Sequence, residues 1–493
     1  ITRFSWQLAD KGHILPVTAR GYGSDLTGGA IGKGLILNTT AHMNTIFELD
    51  TKQRLVRLQP GVSFKALNDA LALHGLQVPS YPVSSAYTSI GGAIANNESG
   101  ILSGKYGSTA SWVKQIEVVL ANGDVLQTGR LSKRELKRKK GLQTFEGELY
   151  RTLDDLITEN KELIDNKISS DIRDNIGYSG IVDVKQKDGS FDLAPLFIGS
   201  QGTLGIISEV IMKSEGLAQN QTIGLATFDS YDTARDAIDV IVSQGPSILE
   251  IIDGRLFEEA KRRGKKYAFQ GNSDEAIGAI VIFALDDPSE RIQKKKIKKI
   301  RKAFEKLEIP LTIAADELNR LELLAIRDVS YVATQPDDDT LSAPPLFDGA
   351  YIPFERFEDF SKAVDSLAGR YNMALPLYGH ALEGVYNARP VFNLTRVSDK
   401  QKVLKLLSEY ANLVDIHGGH LIGQAAEGRL KAPFAYKALD DDVKKLYSDI
   451  KNIFDPTGIL NPGVKQAGDL KSLVTALRSE YSTAQFANYA PTN

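Results

Sequence analysis

Two stretches of small residues near the start of the chain have the makeup of phosphate cradles. The first, Val17-Thr18-Ala19-Arg20-Gly21-Tyr22-Gly23-Ser24-Asp25-Leu26-Thr27-Gly28-Gly29-Ala30, is entered from the apolar Ile14-Leu15-Pro16-Val17 and left into Ile31 and Leu35-Ile36-Leu37. Glycine allows positive φ and puts no Cβ in the way, so successive N–H groups can converge on one concavity and hold a phosphate. Arg20 adds a planar, permanent positive charge beside that nest. Better-known phosphate loops do not fit. A dinucleotide fingerprint counted from Gly21 meets Leu26 where glycine is needed, and Gly32-Lys33-Gly34 lacks the hydroxyl residue that follows the lysine of a triphosphate loop. Alone, the stretch reads first as a glycine-rich hairpin without a ligand. The second stretch, Ile90-Gly91-Gly92-Ala93-Ile94-Ala95-Asn96-Asn97-Glu98-Ser99-Gly100, followed by Lys105-Tyr106-Gly107-Ser108, repeats the chemistry. Two cradles suggest one long ligand carrying a pyrophosphate.

The elements that must position these loops read as an α/β domain from Ile1 to about Ser214. Leu55-Val56-Arg57-Leu58 is strand-like, and Ser63 caps a helix whose Leu67, Ala70, Leu71 and Leu73 recur near a 3.6 period. Ile116, Val118 and Leu120 alternate along a strand that turns at Asn122-Gly123-Asp124. The basic run from Arg130 to Lys140 reads as a solvated excursion and carries no assigned function. Between about 215 and 420, strand-like Ile223 to Phe228, Ile248 to Asp253 and Ile277 to Ala284 alternate with amphipathic helices. In one of these helices, Ile297, Ile300 and Phe304 face inward while Lys294 to Lys299 cover the outside. This is the pattern of an α+β layer.

Composition sets outer bounds. At 493 residues, 42% hydrophobic and 25% charged, the chain is an ordinary globular one of two to four domains. A net charge of −3 argues against nucleic acid as the main partner, and no apolar run is long enough to span a membrane. The expected location is the cytoplasm, with a peripheral place at a membrane surface as the alternative. The opening Ile1-Thr2-Arg3-Phe4 carries the expectation that the N-terminus is incomplete. With no cysteine there is no disulfide, no cysteine-ligated cluster and no cysteinyl flavin, so electron transfer would run through a bound organic cofactor.

Taken in order, the two cradles, Tyr81-Pro82-Val83-Ser84-Ser85, the block Leu196 to Glu209 with Gly202 and Gly205, and the ending Phe454-Asp455-Pro456-Thr457-Gly458-Ile459-Leu460-Asn461-Pro462-Gly463 resemble one flavoprotein family. It is the vanillyl-alcohol oxidase / p-cresol methylhydroxylase superfamily, and within it the D-lactate dehydrogenase and glycolate oxidase flavoprotein-subunit branch. The resemblance covers about residues 10 to 466. It implies an α+β chain. The FAD-binding domain of the p-cresol methylhydroxylase type spans 1–214, and a ferredoxin-like cap domain spans 215–423 and supplies the substrate site. A return to the FAD domain spans 424–466, and a tail spans 467–493. The implied FAD contacts are Arg20, Gly21, Tyr22, Gly23, Ser24, Asp25, Pro82, Ser85, Gly91, Gly92, Ala95, Asn96, Gly100, Tyr106, Gly107, Gly202, Gly205, Ile206, Ile207 and Asn461. Relatives that tether flavin through the first loop use a histidine near 22 to 24. Tyr22, Gly23 and Ser24 stand there, so FAD is expected to be noncovalent. Tyr22 and Asp25 replace usual glycines, and Asp25 would repel a pyrophosphate unless its side chain turns away or caps the following turn.

Oxidation of an alcohol sends a hydride to the flavin while a base takes the hydroxyl proton, and a carboxylate substrate is best held by a forked arginine. By resemblance Arg327 is that arginine; otherwise it is a helix surface charge. Many relatives also hold a divalent metal with two histidines and a glutamate, followed by a histidine base. Here the corresponding segments are Gly379-His380-Ala381-Leu382-Glu383-Gly384-Val385-Tyr386-Asn387 and Gly423-Gln424-Ala425-Ala426-Glu427-Gly428. Only His380 remains, with Asn387 and Gln424 at metal positions and Ala425 at the base. One imidazole and two neutral amides make a poor divalent site, so no metal is expected. Glu427 or Tyr386 could be a relocated base, and His380 either a base or a satisfied buried histidine. Nearby His420, were 420 to 424 a strand, would stand about 13 Å from Gln424, too far to share an ion. The expected function is oxidation of a small D-2-hydroxy acid such as D-lactate, or of glycolate, with an unspecified electron acceptor. A sugar or other alcohol as substrate, or a flavin-binding subunit without turnover, is the alternative. Homodimerisation stays open.

Overall fold

The computed structural model describes residues 1–168, 174–218, 220–270, 277–337 and 340–476. Leu477, the last residue of the helical pattern read in the tail, lies outside the described residues, as do Asp338 and Asp339. The chain divides into two units. One is built from Ile1–Leu217 and Ile422–Asp469, the other from Ala218–Leu421 together with the segment that begins at Leu470.

In the first unit the core is an antiparallel sheet of five strands. In spatial order they are Ile46–Asp50, Leu55–Leu58, Ile206–Lys213, Val113–Val119 and Val125–Gln127. The last two form the hairpin read at Asn122-Gly123-Asp124, where Gly123 takes φ 88°. Ser63 caps Phe64–Ala72 by accepting from the Ala66 N–H, and Ser89 caps Ile90–Asn96 by accepting from that of Gly92. Beside the sheet, Val17–Arg20 pairs in parallel with Leu35–Asn38. The returning segment adds to this edge, since Val17 donates to Ile459 O and accepts from Asn461 N. Val17, Ala121, Ile206, Ile459 and Leu460 make one buried cluster there. The basic run is a short helix, Lys133–Lys140, closed at its start by a capping box of Ser132 and Glu135, with Leu136 its one buried residue.

In the second unit a sheet of seven strands is antiparallel throughout. Its order is Leu311–Ile313, Thr222–Phe228, Ala279–Leu285, Ile248–Asp253, Tyr378–His380, Val385–Asn387 and Ala350–Tyr351. Ile248–Asp253 and Ala279–Leu285 are buried at every position, which suits central strands with both faces covered. Tyr231–Val242, Glu290–Lys306, Phe357–Arg370 and Val397–Ile416 are the long helices of this unit. Residues 420 to 424 are not a strand: His420 makes a backbone bridge with Tyr351, and the chain beyond Leu421 belongs to the first unit.

Candidate functional site

In the first unit, the two cradles and the Gly202 block face one cleft open to solvent. It is lined by Arg20, Gly21, Asp25, Gly91, Gly92, Ala95, Asn96, Gly202, Gly205 and Ile207 of the residues expected from sequence. Ala19, Gly29, Ala30, Thr39, Pro60, Ser200 and Gln201 complete it. The glycines are needed for close approach. A Cβ on Gly21 would lie 1.9 Å from Ser89 Oγ, one on Gly29 2.5 Å from Gln201 Nε2, and one on Gly91 2.5 Å from Pro60 Cβ. Among the described residues, no hydrogen bond takes up the N–H groups of residues 21 to 26, while Arg20 donates to Ala30 O at 3.2 Å and lies against Gly23. A concavity of free amides walled by small residues, with a guanidinium at its side, fits a diphosphate.

Asp25 does not oppose that fit. Its carboxylate accepts from Gly29 N–H at 2.6 Å, from Thr27 Oγ at 2.8 Å and from Asn96 Nδ2 at 3.2 Å, so it is turned onto its own loop and the second cradle. Tyr22 is exposed and plugs nothing.

Other expected contacts stand outside the lining. Gly23, Ser24 and Tyr22 belong to the loop itself, with Ser24 Oγ 3.4 Å from Thr88 Oγ1. Pro82 O accepts from Ser85 N–H, and Tyr106 O accepts from Trp112 Nε1. Gly100 and Gly107 are pressed against Tyr81 O and Ser111 Oγ. Ile206 is in the core cluster. Asn461 is fully engaged by protein: Nδ2 donates to Gly29 O at 2.8 Å and to Gln201 O at 2.7 Å, and Oδ1 accepts from Thr18 and Arg429.

Glu427, expected as a relocated base, is a fully buried ion partner in this unit. Oε2 accepts from Lys465 Nζ at 2.5 Å and Oε1 from Gly177 N–H at 3.0 Å. Burial raises its pKa and lowers that of Lys465, outweighing their mutual attraction. Both oxygens hold the fold, and neither is left for a substrate proton.

In the second unit, His380 stands directly opposite Glu250 in the strand register, with side chains on one face. Glu250 Oε1 meets His380 Nδ1 at 2.5 Å, and Glu250 Oε2 accepts from Arg327 Nε at 3.3 Å. Arg327 comes from the short turn Ile326–Asp328 between two helices. Among the described residues its terminal nitrogens make no hydrogen bond, and neither does His380 Nε2. Burial works against the charge on Glu250, but His380 and then Arg327 outweigh it and hold the carboxyl below its usual range. Burial likewise opposes charge on His380, and Glu250 overcomes it, leaving the imidazole above its usual value. Glu250 was missed from sequence. The available signal was a carboxylate at the centre of Ile248-Leu249-Glu250-Ile251-Ile252, where an unpaired charge is costly.

Tyr386 is corrected in the same way. It pairs with Gly379, one register step from His380, so alternation sends it to the opposite face. There it is fully buried, stacked on Phe357 at 4.1 Å, and burial drives its pKa up. Asn387 Oδ1 accepts from Gly349 N–H, and His417 Nδ1 contacts Leu413 O. His420 stacks on Tyr351 at 5.1 Å. Among the described residues no three His, Asp or Glu side chains are grouped to hold a metal ion.

Comparison with known proteins bears on both units. Residues 5–129 match the family described as "FAD binding domain", and residues 217–464 match "FAD linked oxidases, C-terminal domain". The chain is 26% identical over 472 residues to the glycolate oxidase subunit GlcD of Bacillus subtilis, covering 94% of this chain and 87% of that one. It is 24% identical over 453 residues to a D-lactate dehydrogenase of Archaeoglobus fulgidus, covering 91% and 85%. To a D-2-hydroxyglutarate dehydrogenase of Haemophilus influenzae it is 24% identical over 482 residues, with 94% of this chain but only 47% of that protein covered. The chain therefore spans about half the length of that relative. Among solved structures, p-cresol methylhydroxylase with substrate bound aligns with a TM-score of 0.66 at 14% identity, covering 96% and 88%. The 4-ethylphenol oxidase of Gulosibacter chungangensis aligns at 0.64 and 17%, also covering 96% and 88%.

Proposed function

The chain belongs to the FAD linked oxidases, and from that premise we propose that it oxidises a D-2-hydroxy acid such as D-lactate, or glycolate, with Arg327 receiving the carboxylate and His380 the hydroxyl proton. It is an FAD-dependent oxidoreductase. When bound, FAD supplies the hydride acceptor. The free amides of the first cradle and Arg20 would hold its diphosphate, and the glycines at 91, 92, 202 and 205 admit the rest. Attachment is noncovalent in this reading, because no histidine lines the cleft and the chain has no cysteine.

The observation that carries the substrate assignment is the Arg327–Glu250–His380 chain, in which Glu250 and His380 are buried and Arg327 is half-buried. Glu250 takes the Nδ1 side of the imidazole, which leaves Nε2 as the nitrogen that can accept a proton. It takes Arg327 by Nε alone, so the outer pair of nitrogens can meet a carboxylate in the bidentate manner. Carboxylate binding and proton removal are thus oriented by one anchor. No transfer of a relative's substrate is needed for this step, although glycolate and D-lactate are the acids in those relatives' names.

A second reading is favoured by the same anchor. Glu250 offsets the charge of Arg327, so a neutral sugar or other alcohol would meet no excess of positive charge. The deciding experiment is anaerobic mixing of FAD-loaded protein with a panel of D-2-hydroxy acids, their L forms and neutral alcohols, followed by flavin absorbance. Bleaching by D-2-hydroxy acids is expected. Bleaching by neutral alcohols alone would replace the first reading with the second.

No described helix is long and apolar enough to cross a membrane.

A further inference from the structure

The polar side chains around the first cradle close into a ring drawn from four distant segments. Asp25 accepts from Gly29 N–H and from Asn96 Nδ2. Asn96 Oδ1 accepts from Gln201 Nε2 at 2.9 Å. Gln201 O accepts from Asn461 Nδ2, and the same Nδ2 donates to Gly29 O, which returns the ring to its start. Gln201 Oε1 takes one further donor, Gly428 N–H, at 3.0 Å. Gln201 and Asn461 are buried and adopt left-handed backbone, φ 52° and 40°, as residues held in place by their surroundings do.

Within this ring an amide can face either way, but a carboxylate can only accept. We propose that Asp25 is a positioning residue: accepting at one end of the run while Gly428 N–H donates at the other, it fixes the direction of the Asp25–Asn96–Gln201 bonds and thereby holds the two cradles in the arrangement that receives the diphosphate. With Asp25 accepting, Asn96 must present Nδ2 to it and Oδ1 to Gln201. Gln201 must then donate through Nε2, which reserves Oε1 for Gly428. With asparagine at 25, the amides could run the other way, and Gly428 N–H would lose its acceptor. The half-buried guanidinium of Arg429, which donates to Gly28 O and Asn461 Oδ1, lies close enough to offset the Asp25 charge.

The inference rests on FAD occupying this cleft. It also sets two effects of opposite sign against each other. Removing a negative charge from a diphosphate site would by itself tighten binding, whereas loss of a charge-assisted ring would loosen it. FAD is titrated into the full-length chain stripped of flavin and followed by flavin fluorescence. D25N is expected to bind FAD at least about tenfold more weakly. The swap D25N/N96D, in which the residue at 96 accepts from both 25 and Gln201, is expected to return to within about threefold of the original. Equal or tighter binding by D25N, or a swap no better than D25N, overturns the proposal. Hydrogen exchange in the flavin-free original chain needs no variant: the Gly29 amide is expected to be protected, and exchange at the rate of an open loop overturns the proposal as well. If the original chain takes up no FAD, the cofactor assignment fails while the exchange result still judges the ring.

Discussion

Glu250 shows what one residue contributes and how it hides. As the proposed base, His380 would have to be neutral, so turnover is expected to rise with pH through its pKa, which Glu250 keeps above the ordinary imidazole value against the pull of burial. In E250Q the carboxylate charge is gone, and burial and Arg327 both push the imidazole pKa down. The acidic limb of kcat/KM against pH is therefore expected to move to lower pH. Maximal turnover is expected to fall, because the Nδ1 side is no longer held by an anion. An unmoved limb would remove His380 from the role of base. Lys465 carries a different prediction. Its ammonium and Glu427 are both fully buried, so K465M strands a carboxylate and is expected to cost about 3–5 kcal/mol in denaturant unfolding. E427Q/K465M is expected to recover most of that loss, since glutamine still accepts from Gly177. These pairings escaped sequence reading for one reason. Glu427 and Lys465 are 38 positions apart and Glu250 and His380 are 130 apart, and only strand register and chain return bring them together.

At the scale of elements, legibility was high where backbone chemistry is local. The glycines of both cradles, the cap Ser63 and the turn at Gly123 are short-range signals, and each marks what the chain does there, whereas the cap Ser89 was not read. Asp25 was legible as a conditional: it had to turn away or cap, and it caps. What could not be read was which loop residues face the cleft and which brace it from behind, because Asn461 and Gly100 are of the same residue types as true lining residues. Tyr386, offered as a base by residue type, lies one step of strand pairing from His380 and so on the opposite face, which residue type alone does not tell. Gly91 supplies the test at this scale. A methyl at 91 would lie 2.5 Å from the rigid ring of Pro60, so the helix Ile90–Asn96 must shift away from Pro60, which lines the same cleft. G91A is expected to weaken FAD binding about tenfold or more with the fold retained, a loss of about 1.4 kcal/mol or more. In G369A, where the added methyl meets nothing within 4 Å, no change is expected.

On the scale of the whole molecule, the chain leaves the first unit after Leu217 and rejoins it at Ile422. The cleft and the Arg327–Glu250–His380 cluster thus belong to separate units, and in the proposed reading one would grip FAD while the other would receive and deprotonate the substrate. The order of small-residue blocks, from the two cradles through Gly202 and Gly205 to the ending at Gly463, announced the first unit. The second is announced only weakly, since its proposed chemistry rests on three residues from distant elements and not on a compact motif. The most direct measurement is single-turnover flavin reduction, recorded anaerobically over a range of concentrations of the D-2-hydroxy acid that bleaches the flavin best, in R327M and H380N. R327M is expected to raise the apparent Kd for the acid at least about tenfold while largely keeping the limiting rate. H380N is expected to lower the limiting rate by about a hundredfold or more with a nearly unchanged Kd. Two variants that reduce flavin like the original chain would contradict the assignment of the acid and its proton to Arg327 and His380.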